Sequence, residues 1–151
     1  MHLIEDKVVL IVGLGLIGGS VARGLAAGKH CRRIIACGRD ETALQTALLD
    51  GTIDAFSTQL ETVVPQADII LITTPTLTVA RILEQIRDTV RDDTIITDAA
   101  SVKASVLADA HRILGTGVNR FIAGHPIAGS EQSGYRASRA DLYNRRKVIL
   151  T

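Results

Sequence analysis

Residues 8–20 read Val-Val-Leu-Ile-Val-Gly-Leu-Gly-Leu-Ile-Gly-Gly-Ser, so an unbroken apolar run passes directly into G-x-G-x-x-G. A buried strand, a turn too tight for side chains and a helix that starts inside the turn must follow one another here, and that succession opens a βαβ unit. Gly13 permits the tight turn, Gly15 lets the backbone approach a pyrophosphate, and Gly18 lets the helix pack closely on the strand. The unpaired N–H groups at the helix start, around Leu16 and Ile17, and the positive end of the helix dipole then face anionic oxygen. A turn that merely needs glycines is the plainer reading. The strand and helix flanks argue against it, and a dinucleotide site at Gly13, Gly15, Leu16, Ile17 and Gly18 is expected.

The rest of the chain continues the same alternation of short β-branched runs and longer amphipathic stretches. Strands are expected at Val8–Gly13, Arg33–Cys37, Ala67–Thr73, Thr94–Asp98, Asn119–Gly124 and Lys147–Thr151. A short strand is added near Ala55–Phe56 and a short helix before Pro65. Helices are expected at about Ile17–Ala27, Glu41–Leu49, Thr78–Val90 and Val102–Leu114. In the third of these, Val79, Ile82, Leu83, Ile86 and Val90 recur at helical spacing, which marks a core-facing stripe. The pattern predicts an α/β fold: a doubly wound, mostly parallel sheet of the Rossmann type with helices on both faces. Right-handed crossovers place the loops after the strands along one edge, where ligands bind.

A length of 151 residues with 46% hydrophobic content suits one buried core. Seventeen basic and 16 acidic residues leave a formal charge of +1. Nucleic acid and anionic membranes both demand a basic field that this chain lacks, so a small-molecule partner is expected. Cys31 and Cys37 have no metal-ligand spacing around them and form no disulfide framework, which fits two thiols in a reducing cytoplasm with no metal site. The uncharged run Val8–Ala22 has Glu5 and Asp6 before it, where a signal peptide wants positive charge. No stretch reaches the roughly 18 to 20 apolar residues of a membrane span. A cytoplasmic protein is expected.

The choice of dinucleotide is made at the end of the second strand, where an acid would take the ribose hydroxyls of NAD. Here the sequence is Cys37-Gly38-Arg39-Asp40. Gly38 stands at the acid position, leaving room for a 2′-phosphate, and Arg39 supplies a cation to pair with it. NADP is therefore favoured over NAD. Asp40 is the competing candidate for a ribose hydroxyl, and it also fits the N-cap of the next helix. Thr73 and Thr74, at the end of the following strand, could border the nicotinamide ribose, although Pro75 more simply ends that strand.

Two further strand ends carry polar clusters, Asp98-Ala-Ala-Ser-Val-Lys103 and Gly124-His-Pro-Ile-Ala-Gly-Ser-Glu131. Of the four histidines, His2 falls at the terminus, His30 in a loop opposite the ligand edge and His111 on a helix face. His125 alone stands at the crevice, with Gly124 and Pro126 fixing its backbone.

These clusters, together with Gly13-Leu-Gly-Leu-Ile-Gly-Gly-Ser20, Gln132-Ser-Gly134 and Asp141-Leu-Tyr143, resemble the prephenate/arogenate dehydrogenase family of tyrosine biosynthesis over essentially the whole chain. The His-Pro-x-Ala-Gly-Ser-Glu stretch carries more of the likeness than the glycine turn, which many dehydrogenases share. The resemblance implies oxidative decarboxylation of prephenate or arogenate: hydride leaves ring C4 for the nicotinamide, CO₂ departs and the ring aromatises. It implies that His125 takes the proton of the ring 4-hydroxyl, a role suited to an imidazole. Ser101 would hold that hydroxyl or the imidazole beside the cofactor, and Ser130 and Glu131 would line the substrate pocket. Ser101 equally fits an N-cap and Glu131 a turn cap. Lys103 is expected on a helix surface, and Arg136, Arg139, Arg145 and Arg146 in a solvated loop and helix.

The chain stops at Thr151, in or just after an expected strand. The family continues into a helical domain that supplies the dimer interface and the cations for the substrate carboxylates. The chain by itself is thus expected to bind cofactor and turn over poorly, within a longer homodimeric protein. Two other readings stand beside this one. A β-hydroxyacid dehydrogenase of the 6-phosphogluconate type shares the Gly-Leu-Gly opening but relies on a later lysine base, and the His125-Pro126 motif argues against it. A non-catalytic NAD(P)-binding module leaves Ser101 and His125 without a purpose.

Overall fold

The computed structural model describes residues 3–129 and 131–151. Strand β1 (Val8–Val12) is buried along its whole length because both faces of the sheet are covered. Val8, Leu10 and Val12 join one apolar cluster, and Val9 and Ile11 join the other. That double burial explains the unbroken apolar run: a parallel strand between two helical layers has no face to give to water. β1 pairs with β2 (Arg33–Cys37) on one side and β4 (Ile69–Ile72) on the other. With β3 (Ala55–Ser57), β5 (Ile95–Asp98) and β6 (Phe121–Ile122), the order is β3-β2-β1-β4-β5-β6, with every pairing parallel. The strand order reverses at β1, so the connections leaving β1 and β4 diverge and open a crevice at their carboxyl ends.

Helices α1 (Leu16–Gly28) and α2 (Glu41–Leu49) cover one face through Ala22, Leu44 and Ala47. The short α3 (Leu60–Val63), α4 (Val79–Ile86) and α5 (Lys103–Leu114) cover the other. The apolar stripe of α4 is buried as its spacing predicts. The helix ends four residues before Val90, where Thr89 N–H and Val90 N–H both bond Ile86 O and the last turn tightens. Asp40 is the N-cap of α2, its carboxylate accepting Ala43 N–H at 3.1 Å.

The carboxyl-terminal part departs from expectation. The strand expected at Asn119–Gly124 is divided: β6 ends at Ile122, and Gly124–Pro126 leaves the sheet as β7. β7 pairs antiparallel with β8 (Val148–Leu150), so the last expected strand forms a two-stranded ribbon and does not extend the parallel sheet. The reason is the connection between them. A parallel return needs a crossover, usually a helix. The described residues of the 127–147 connection form only a single 3-10 turn at Tyr135–Ala137 followed by irregular turns, which also replaces the helix expected among its arginines.

Asp68, just before β4, fastens the sheet at its amino-terminal edge. Its carboxylate accepts Val8 N–H at 2.7 Å and the Arg91 guanidinium at 2.6 Å, and these bonds hold it below the usual carboxylate range. A charged acceptor of this kind contributes about 1.5–3 kcal/mol. Asp68→Ala is expected to cost about 2 kcal/mol near neutral pH in urea melts. Because the folded pKa is depressed, that contribution is present above the ordinary carboxylate range, about pH 4, and is lost as pH falls through the depressed value. Wild-type and variant stabilities should therefore converge in acid, and a constant difference would exclude the carboxylate as its source.

Candidate functional site

The turn after β1 is closed by contacts that leave no room for side chains. Gly13 has φ +96°, and a Cβ there would stand 2.9 Å from Thr74 Cγ2 and 3.0 Å from Thr74 N. Its N–H donates to Cys37 O at 2.8 Å, tying the turn to the end of β2. At Gly18 an added Cβ would lie 2.2 Å from Gly13 O and 2.5 Å from Thr73 Oγ1, so α1 rests directly on the turn. Thr73 does not present its hydroxyl to a ligand. It donates to Gly13 O at 2.5 Å, with Val12 O at 3.1 Å.

Gly15 and Gly38 are different. An added Cβ at Gly15 meets nothing within 4 Å, and at Gly38 it meets only Leu14 N at 4.0 Å. Both border a cleft of about 640 Å³ lined by the glycine turn, Cys37–Asp40, Thr73–Pro75, the start of α3 and one side of α4. Thr74 Oγ1 is buried against this cleft without a hydrogen-bond partner among the described residues. A buried hydroxyl rarely goes unpartnered, and a ligand with polar oxygens would satisfy it. Open backbone at Gly15, the start of α1 and the waiting hydroxyl at Thr74 fit a dinucleotide.

Two arginines, Arg39 and Arg81, line the same cleft, and neither forms a hydrogen bond or ion pair among the described residues. Arg81 was not singled out by sequence reasoning, because on α4 it is one surface residue of several; only the fold turns Thr78, Arg81 and Gln85 toward the opening. Cys37 is a free thiol on the cleft wall, and burial, with Glu61 nearby, pushes it up to about 11. It is a neutral wall, not a nucleophile. Leu16 and Ile17 form the first turn of α1, but their side chains do not line this cleft. Ile17 faces a second, more apolar pocket of about 560 Å³ between α1 and the β7–β8 ribbon, and its carbonyl accepts Tyr143 OH at 3.2 Å.

Farther along the same edge, β5 and β7 are joined by Asp98. Its side chain is fully buried. One oxygen accepts Gly124 N–H at 3.1 Å and the other accepts Ala100 N–H at 3.0 Å. Lys103 completes the group, donating to Asp98 Oδ2 and, at 2.6 Å, to Gly124 O. Lys103 is therefore not the helix-surface residue expected from its sequence: its side chain is 15% exposed and folds inward from the first residue of α5. The S-x-K spacing was visible, but its inward direction depends on β7 passing alongside.

His125 follows Gly124 in β7, half-buried, with its backbone opposite Ile149 of β8. Ser101 lies exposed between β5 and α5. The residue in the N-cap position is Val102, with no side-chain cap, so Ser101 does not cap α5. Glu131 is exposed in a bend, and Ser130 lies outside the described residues, as does His2. Asp98 brings the Ser101 loop and the His125 strand side by side, whereas none of Ser101, His125 and Glu131 lines the glycine cleft itself. The loop after His125 is anchored at its far end by Tyr135. Its hydroxyl donates to Asp50 at 2.8 Å, with Thr52 Oγ1 at 2.9 Å, and Arg23 lies over its ring at 4.5 Å. No local signal in the sequence marks that anchor, since its partners are more than 80 residues away.

The chain matches the family described as prephenate dehydrogenase, nucleotide-binding domain, over residues 21–151. It is 34% identical over 146 residues to a prephenate dehydrogenase of Lactococcus lactis subsp. cremoris, covering 96% of this chain and 41% of that protein. Among solved structures, prephenate dehydrogenase from Aquifex aeolicus in complex with hydroxyphenyl propionate and NAD⁺ superposes with a TM-score of 0.87 at 35% identity, covering 96% of this chain and 50% of that one. Arogenate dehydrogenase from Synechocystis gives 0.86 at 28% identity, covering 95% and 49%. The chain thus spans about half the length, or less, of the relatives it matches.

Proposed function

The chain belongs to the prephenate dehydrogenase family, and on that premise we propose that it forms the cofactor-binding part of an enzyme that oxidatively decarboxylates prephenate or arogenate with NADP. The observation that carries the reading is the shared edge. The glycine turn after β1 and the Ser101 loop after β5 open on one edge of the parallel sheet, and Asp98 bonds that loop against the separate β7 strand that carries His125.

Gly13, Gly15 and Gly18 shape the turn that receives the pyrophosphate, and the first turn of α1, Leu16 to Gly18, offers its free N–H groups. Thr73 holds that turn closed and Thr74 supplies a hydroxyl to the ligand. Gly38 leaves space for a 2′-phosphate, Arg39 pairs with it, and Arg81 adds a second cation at the same opening. Asp40 uses one carboxylate oxygen to cap α2, while its other oxygen stands at the same opening. The nicotinamide, when bound, supplies a hydride acceptor. His125 takes the proton of the ring 4-hydroxyl as hydride leaves C4, and Ser101 orients that hydroxyl or the imidazole. Loss of the ring carboxylate as CO₂ then leaves an aromatic phenolate, to which His125 returns the proton, so electrons and protons balance without a further reactant. Ser130 and Glu131 border the substrate. Cations for its carboxylates come from the remaining length of a homodimeric cytoplasmic protein.

A steady-state assay of the longer protein with prephenate and with arogenate tests this. Reduced NADP and CO₂ should appear in equal amounts with at least one of them. Cofactor binding without oxidation of either would overturn the enzyme assignment in favour of a nucleotide-binding module.

A further inference from the structure

The geometry points to the Asp98–Lys103 pair as the positioning device that fixes His125 and Ser101 relative to one another, a role that rests on the reading of those two residues as catalytic. Asp98 accepts the N–H of Gly124, the residue before His125, and the N–H of Ala100, the residue before Ser101. Lys103 binds Asp98 and also the carbonyl of Gly124. Both backbone groups of Gly124 are thus held by one ion pair. Its missing side chain matters too: a Cβ there would stand 2.9 Å from Asp98 O. The two chain segments that present the proposed catalytic residues are pinned to a single carboxylate.

The cost of this arrangement argues for a purpose beyond stability. Desolvating a lysine and an aspartate offsets much of their mutual attraction, and an apolar pair of similar volume is often as stable. An apolar pair, however, could not grip two peptide N–H groups and a carbonyl at once. What the ion pair adds is a fixed distance between two loops, and catalytic geometry is sensitive to displacements of about 1 Å.

Lys103→Met keeps the length of the side chain and removes its donors. In nuclear magnetic resonance spectra of this chain, the amide and side-chain signals of Ser101 and His125 are expected to shift or split, while those of Gly13 to Gly18 stay in place. Lys103→Arg, which retains charge and donors, should restore a single set near the wild-type positions. In the longer protein, Lys103→Met should lower kcat about a hundredfold with KM for NADP unchanged. If Lys103→Met does not fold, Lys103→Gln, which removes the charge but keeps an amide donor, should move the same Ser101 and His125 signals by a smaller amount. The proposal is overturned if the Ser101 and His125 signals superimpose on wild type, or if signals move equally throughout the chain. Were His125→Asn to leave turnover intact, the catalytic reading would fall, while the spectra would still decide the positioning.

Discussion

Gly18→Ala is expected to abolish measurable dinucleotide binding and to lower stability by about 1–3 kcal/mol, the range for overpacking a tight contact. The added methyl would sit 2.2 Å from Gly13 O, 2.5 Å from Thr73 Oγ1 and 2.9 Å from Ile11 Cγ2. None of these can move away cheaply. Gly13 O belongs to the turn itself, Thr73 Oγ1 is bonded to it, and Ile11 is fully buried in the central strand. Relief comes only by lifting α1 off β1, which moves the N–H groups that would face the pyrophosphate. Gly15→Ala is the informative companion. Its methyl meets no protein atom within 4 Å, so its stability should stay within about 1 kcal/mol of wild type, yet the methyl occupies the space through which the pyrophosphate approaches. Thermal melts and NADPH titrations of the two variants should therefore separate: both lose affinity, and only Gly18→Ala loses stability. Two variants with equal stability would contradict the packing argument.

His125→Asn is expected to lower kcat by about 10²–10⁴-fold, the usual contribution of a positioned general base. Asparagine keeps the backbone pairing of β7 with β8, which does not depend on the side chain. Affinity for NADP should be unchanged, because His125 does not line the glycine cleft. The split matters: a loss confined to kcat places the imidazole at the reacting atoms, whereas a parallel loss of cofactor affinity would make it a structural residue of the ribbon. Turnover within a few-fold of wild type would remove His125 from the chemistry.

Much of the architecture was legible in advance because parallel strands buried on both faces leave a strong signature. Val8–Val12, Arg33–Cys37 and Ile69–Ile72 are nearly continuous apolar runs, and the glycines between β1 and α1 are forced by contacts within one βαβ unit. The start of α2 was readable from Asp40, and the buried face of α4, though not its end, from a stripe of apolar residues at helical spacing.

What the sequence hid depends on distant partners. The apolar run around Phe121 reads as one strand through Gly124, and only its pairing with the distant β8 shows why Gly124–Pro126 turns out of the sheet. Lys103 looked like any first-turn lysine. Its inward path exists because Asp98 and the Gly124 carbonyl meet it there. Arg81 belongs to the cleft, and Thr73 holds the turn, for the same kind of reason: residues far apart in the chain are neighbours at one edge of the sheet.

We propose that the rim of the dinucleotide cleft reads a 2′-phosphate through Arg39. Parallel titrations of the chain with NADP and NAD, each with wild type and Arg39→Ala, test it without requiring turnover. NADP should bind about tenfold or more tightly than NAD, as one charge-assisted contact of about 1.5–3 kcal/mol requires, and Arg39→Ala should erase most of that preference while leaving NAD affinity in place. Equal affinities in the wild type, or a preference for NADP that survives Arg39→Ala, would contradict it.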